Sequence, residues 1–135
     1  MTINDFFDKD KFALNAGVKL LEVRKGYARA SMEITPMHFN AGGVCQGGAI
    51  FTLADFAFAA ATNSHGQLTF SITSNINFFK SESEGTLYAE AKEVFCHKRI
   101  PNCEVHITNK EGELIASFTG TGYRKDIQLP FKSIE

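Results

Sequence analysis

The sequence predicts an α+β fold, an antiparallel sheet wrapped around one long central helix. Three observations carry this. The elements run in the order short helix, two strands, one long apolar helix, then three or more strands. The stretch from Gly47 to Asn63, GGAIFTLADFAFAAATN, is apolar around most of its circumference and so belongs inside a protein. In FSITSNINF, Phe70, Ile72, Ile76 and Phe78 alternate with Ser71, Thr73, Asn75 and Asn77, the period of a strand.

Taken in order, residues 3–12 (INDFFDKDKF) read as a short helix started by Asn4 or Asp5. VKLLEV and YARASMEI are strands around the turn RKG. The Gly-rich TPMHFNAGGVCQGG is loop and feeds a helix from about Gly48 to Asn63, which SHGQ ends. After FSITSNINF and a charged connection come the strands TLYAEAKEVF and CEVHI. The turn NKEG leads into the last strand, ELIASFTGTGYR. The tail KDIQLPFKSIE has no clear period. One sheet covers only part of a helix this apolar, so a second copy of the chain is expected against the rest.

At 135 residues, 44% hydrophobic and 21% charged, one domain over 1–135 is expected. A net charge of -1 gives no electrostatic reason to expect nucleic acid or an anionic membrane as a partner. The opening MTINDFFDKDKF lacks the pattern of a signal peptide, and no apolar run is long enough to span a bilayer. Cys45, Cys96 and Cys103 are odd in number and form no Cys-x-x-Cys pair, which points to free thiols in a reducing cytoplasm. The histidines show no metal-ligand spacing. His65 reads as part of the turn closing the helix, and His38, His97 and His106 as surface or strand residues. No metal is expected.

The long helix carries one acid. Gly48, Thr52, Asp55, Ala59 and Thr62 recur at steps of four and three and share one stripe of small or polar residues. Periodicity leaves two accounts open: close packing with Asp55 held by hydroxyls or amides, or a cleft floored by a reactive acid. At the helix start, QGG offers N–H groups with no intrahelical acceptor at the positive end of the dipole. Such a start can hold an anion or a developing oxyanion, and a turn needing positive φ is the structural alternative. Gly47 and Asp55 are roughly 12 Å apart along a helix. If they serve one carbonyl, Asp55 of one subunit must face Gly47 of another.

At this spacing the chain resembles the PaaI-like hotdog-fold acyl-CoA thioesterases. Their pattern is Asn, five residues, His-Gly-Gly, six residues, Asp; here the positions are Asn40, Gln46-Gly47-Gly48 and Asp55. The likeness runs from NAGVKLLEV through ITSNINFFK to GELIASFTGTGYRK, nearly the whole chain. It implies a hotdog fold, a homodimer assembling into a homotetramer, an acyl-CoA substrate, and no cofactor beyond the CoA of that substrate. It also implies roles: the Gly47 amide polarises the thioester carbonyl, and Asp55 of the facing subunit acts as general base or as nucleophile. Asn40 orients the site, and Thr73 matches a hydroxyl that assists the water or the carboxylate. A strand threonine chosen for β-propensity is the alternative for Thr73.

Gln46 departs from the family's histidine. A carboxamide can orient a carbonyl but cannot shuttle a proton near neutral pH, and Gln46 equally suits a structural role at the helix start. Cys45 has no histidine placed to activate it and reads as a packed loop cysteine. Gly48, Lys80, Lys98 and Arg99 are candidates for binding CoA, the three cations by their place at strand ends or in loops near the inferred helix start. Phe39, Phe56 and Phe58 suit an acyl pocket or ordinary core. Two other activities fit the fold: acyl-CoA binding without catalysis, and hydration of an enoyl thioester, which generally needs a histidine that this helix lacks.

Overall fold

The structure is a computed structural model describing residues 1–134. Two short helices, α1 (Ile3–Phe7) and α2 (Lys11–Asn15), precede strands β1 (Val18–Arg24) and β2 (Tyr27–Glu33). A 3-10 turn (Pro36–His38) then leads to the long helix α3 (Gly47–Asn63). Strands β3 (Gln67–Phe78), β4 (Thr86–Phe95), β5 (Asn102–Thr108) and β6 (Leu114–Gln128) complete the chain. All six strands form one antiparallel sheet in the order β1-β2-β4-β5-β6-β3. The sheet curls around α3, which packs on every strand. Ile50, Leu53, Phe56 and Phe58 of α3 meet Met32, Leu87, Val105, Ile107 and Phe118 from the sheet in one buried core.

The expected single helix over 3–12 is broken in two. Thr2 caps α1 through a reciprocal capping box with Asp5, and the Asp10 carboxylate accepts from the Ala13 amide to start α2. Neither Asn4 nor Asp5 is the first cap. The tail also corrects the reading: β6 runs on to Gln128, and Leu129 and Phe131 are buried.

A bulge decides how β3 presents its side chains. Ser71 pairs with Gly122 and Thr73 with Thr121, so Ile72 is one residue extra. Below it Phe70 sits opposite exposed Tyr123; above it Ile76 sits opposite buried Phe118. The period-two pattern had put Phe70 and Ile76 on one face, and the bulge sends them to opposite faces. Opposite Phe58 of α3, β6 carries Gly120 and Gly122. A Cβ on Gly120 would stand 2.8 Å from Phe58 Cε1, so the ring of Phe58 requires that glycine.

Strand β3 is also an edge. Its outer side has no partner among the described residues, and Phe70, Ile72 and Phe78 along it are exposed. A long edge with exposed apolar side chains is the kind that natural proteins pair or cover.

Candidate active site

The candidate site begins at the start of α3. Gln46 is the N-cap residue: its carbonyl accepts from the Ala49 and Ile50 amides, and its own N–H donates to His38 O at 2.7 Å. No side chain among the described residues caps the helix. Among the described residues the Gly47 and Gly48 amides therefore have no acceptor, and both lie at the positive end of the dipole.

The loop before the helix is held by Asn40. Its Oδ1 accepts from the Gly42 amide at 2.9 Å and from Val44 at 3.2 Å, and its backbone N–H donates to Val44 O. Gly43, at φ 81°, closes this loop where a side chain would be strained. The structure thus gives Asn40 a loop-shaping task close to Gly47.

His38 is not a surface or strand residue, as the sequence had suggested. It is buried in the 3-10 turn, where Nδ1 accepts from the Thr35 amide at 3.0 Å and Nε2 lies 2.6 Å from Ala16 O. Both ring nitrogens are spent on backbone, so the imidazole splices α2 to the loop that feeds α3.

Two depressions flank the helix start. One, of 310 Å³, is lined by Asn40, Cys45, Gly47, Phe78, Phe79 and Lys80. The Phe78 ring lies over Gly47 so closely that a Cβ there would stand 3.0 Å from Cζ. The other, of 270 Å³, is lined by Phe12, Met37, Phe39, Gln46, Gly48 and Thr52. The Gln46 carboxamide leans over Gly48, its Oε1 2.9 Å from where a Cβ would be.

Gly48 and Thr52, the first two members of the stripe read from the sequence, line the second depression, and the stripe as a whole is graded in exposure. Gly48 is exposed, Thr52, Asp55 and Ala59 are half-buried, and Thr62 is fully buried. The Thr52 hydroxyl donates to Gly48 O and that of Thr62 to Phe58 O, so neither binds Asp55. Among the described residues Asp55 has neither a hydrogen bond nor an ion pair. Burial, with the Asp10 charge adding to it, raises its carboxyl above the ordinary aspartate range. An acid held without a partner in a half-open stripe is available to move a proton.

The remaining candidates are dispersed. Thr73 is exposed beside the bulge, in the row of Thr121 and Tyr123. Lys80 borders the Gly47 depression but pairs with Glu113 at 2.7 Å and Glu82 at 3.5 Å. Lys98 and Arg99 are not near the helix start of their own chain. Their loop packs at the far end of α3, where Arg124 donates to both His97 O and Thr62 O. Arg99 forms a two-pronged pair with Asp126 at 2.9 and 3.1 Å. Cys45 is buried, which raises its thiol pKa. Phe56 and Phe58 are core; Phe39 is partly exposed at the second depression.

A cluster that sequence spacing did not reveal sits at that far end: His65, Glu93 and Cys96. The separations of 28 and 31 residues place its members on different elements, so only the fold brings them together.

Comparison with known proteins agrees with the architecture. The sequence model of the thioesterase superfamily matches residues 42–116. The chain is 40% identical over 130 residues to an Archaeoglobus fulgidus protein named "Putative esterase", covering 95% of this chain and 84% of that one. It is 30% identical over 119 residues to the acyl-coenzyme A thioesterase PaaI of Escherichia coli, covering 87% and 85%. The solved structure of Escherichia coli PaaI superposes with a TM-score of 0.89 at 28% identity, covering 93% of this chain and 91% of that one. A Streptococcus mutans protein solved bound to acetyl CoA superposes with a TM-score of 0.78 at 25% identity, covering 82% and 90%. The curled sheet around one central helix is the hotdog fold of these PaaI structures.

Proposed function

Because this chain belongs to the thioesterase superfamily, we propose that it is an acyl-CoA thioesterase, hydrolysing an acyl-CoA thioester to the free acid and CoA. The observation that carries this reading is the pairing, on one helix, of two amides without acceptors at its start and a half-buried carboxylate at Asp55 unpartnered among the described residues. The thioester carbonyl accepts from the Gly47 amide, which stabilises the oxyanion as the carbonyl is attacked. Asp55 of the facing subunit either takes a proton from the attacking water or attacks the carbonyl itself, giving an anhydride that water then opens. The thiolate of CoA leaves without needing a proton.

The two-chain arrangement rests on distance. Gly47 and Asp55 of one chain are roughly 12 Å apart, too far to serve one carbonyl. A two-fold pairing along the open β3 edge would run the two copies of α3 antiparallel. It would then bring Asp55 and the loop of Lys98 and Arg99 from one chain toward Gly47 of the other. The homodimer is the catalytic unit in this reading, and two dimers join as a tetramer. Asn40 holds the loop beside Gly47, Gln46 and Gly48 border the acyl thioester, and Thr73 assists at the β3 edge. Lys80, Lys98 and Arg99 receive the phosphates of CoA. The Streptococcus mutans relative bound to acetyl CoA supports a CoA ester as substrate.

Gln46 at the family's histidine position favours a second reading, an acyl-CoA-binding protein without turnover. One experiment separates the two: a panel of acyl-CoA esters with a thiol-reactive dye. Thiol release that depends on the protein is expected. Tight acyl-CoA binding with no thiol release from any ester would favour the second reading.

A further inference from the structure

The far end of α3 holds the cluster that the proposed chemistry leaves unused. His65 lies in the turn after the helix, Glu93 on β4 and Cys96 in the loop that follows. Glu93 Oε1 lies 2.9 Å from His65 Nε2, Cys96 Sγ lies 3.8 Å from the same nitrogen, and all three atoms are within 4.8 Å of one another. The carboxylate is 5% exposed and the imidazole 13%, while Cys96 is exposed. Two groups thus converge on one ring nitrogen, which has a single N–H or lone pair to give. His65 Nδ1 makes no hydrogen bond among the described residues. A nitrogen, an oxygen and a sulfur facing one point are the donor set of a tetrahedral zinc site. There the bond lengths put neighbouring ligand atoms about 3.3–3.6 Å apart, so the two contacts at His65 Nε2, 2.9 and 3.8 Å, bracket that spacing, and the Cys96–Glu93 pair closes to it from within 4.8 Å.

We infer that His65, Glu93 and Cys96 bind a divalent, thiophilic metal ion of the zinc class, with the fourth position open on the exposed side of Cys96. The thiol and imidazole select such an ion over magnesium or calcium, which prefer oxygen alone. Arg124 sets the strength of the site. Its guanidinium is 3.5 Å from Glu93 Oε1 but is also held by Thr62 O at 3.1 Å, His97 O at 3.4 Å and Thr69 Oγ1 at 3.4 Å. It is anchored independently of the carboxylate and stays behind it when Glu93 turns to a metal. Its positive charge opposes the cation, so the ion is one that a chelator removes readily. On binding, the S–H bond of Cys96 breaks, its proton passes to solvent, and a metal–sulfur bond forms. The ion then ties the turn after α3 to β4 and to the loop carrying Lys98 and Arg99.

The test uses the full-length protein, reduced and treated with chelator, then titrated with zinc and separately with cobalt(II). One ion per chain is expected, with about one proton released and a higher melting temperature. Cobalt should give a thiolate charge-transfer band that Cys96→Ala abolishes, and His65→Asn should weaken zinc binding at least tenfold. Cys96 is exposed, so its variant should keep the metal-free melting temperature. Absence of zinc binding by the parent protein, or binding unchanged in both variants, would overturn the site and leave a hydrogen-bonded cluster. Neither result touches the thioesterase reading, which uses none of these residues.

Discussion

Asp10 and Asp55 form a like-charged pair on neighbouring helices, Asp10 capping α2 and Asp55 half-buried on α3 with no cation paired to it among the described residues. Burial, and then the Asp10 charge, holds Asp55 above the ordinary aspartate range. A base or nucleophile must be ionised, so the acid limb of kcat/KM should lie above that of an ordinary aspartate. Asp10→Asn keeps a capping oxygen and removes the charge. The limb should then move to lower pH with the plateau little changed; a limb that stays in place would remove Asp10 as a contributor and leave burial alone.

The same shift fixes a sign for stability. With the native pKa of Asp55 above its unfolded value, near 3.8, the native state holds more protons between the two. Asp55 therefore lowers stability as pH rises through that window. Asp55→Asn should melt at the same or a higher temperature at pH 7, with a smaller gain below the window, while turnover falls about 10²–10⁴-fold. A clear loss of melting temperature at pH 7 would mean that the carboxylate has a structural partner.

Gly120 should tolerate no side chain. A Cβ would meet Phe58 at 2.8 Å and Phe118 at 2.9 Å, both buried rings of the core. Gly120→Ala should cost about 1–3 kcal/mol in urea unfolding. Unchanged stability would show that the rings repack freely.

Gln46 makes no capping bond with its side chain, yet its carboxamide leans over Gly48. Gln46→Ala should alter stability by no more than about 0.5 kcal/mol and lower kcat/KM. Unchanged kinetics would reduce Gln46 to a residue that starts the helix.

The strands were legible wherever a strand's own pattern decides its course: YARASMEI and TLYAEAKEVF match β2 and β4 to within a residue. The Ile72 bulge was not, because the extra residue is defined only against β6. The end of β6 was hidden for another reason: Lys125, Asp126, Ile127 and Gln128 are all exposed, so no alternation marks them. Within the candidate site, Gly47 and Asp55 could be read because one helix sets their spacing. Lys98 and Arg99 could not be located, since their loop follows from the β4-β5-β6 order of the sheet. The partners of His38 likewise come from α2 and from the turn at Thr35.

The claim that two chains share each site is tested most directly by mixing defects. Asp55→Asn removes the acid; Gly47→Val crowds the amide against Phe78. Each variant alone should be inactive in thiol release. A purified heterodimer of the two restores one complete site from Gly47 of the first chain and Asp55 of the second. It should recover about half the wild-type rate, one working site of two. No recovery in a heterodimer that forms and binds acyl-CoA would contradict the shared site and return the chemistry to a single chain.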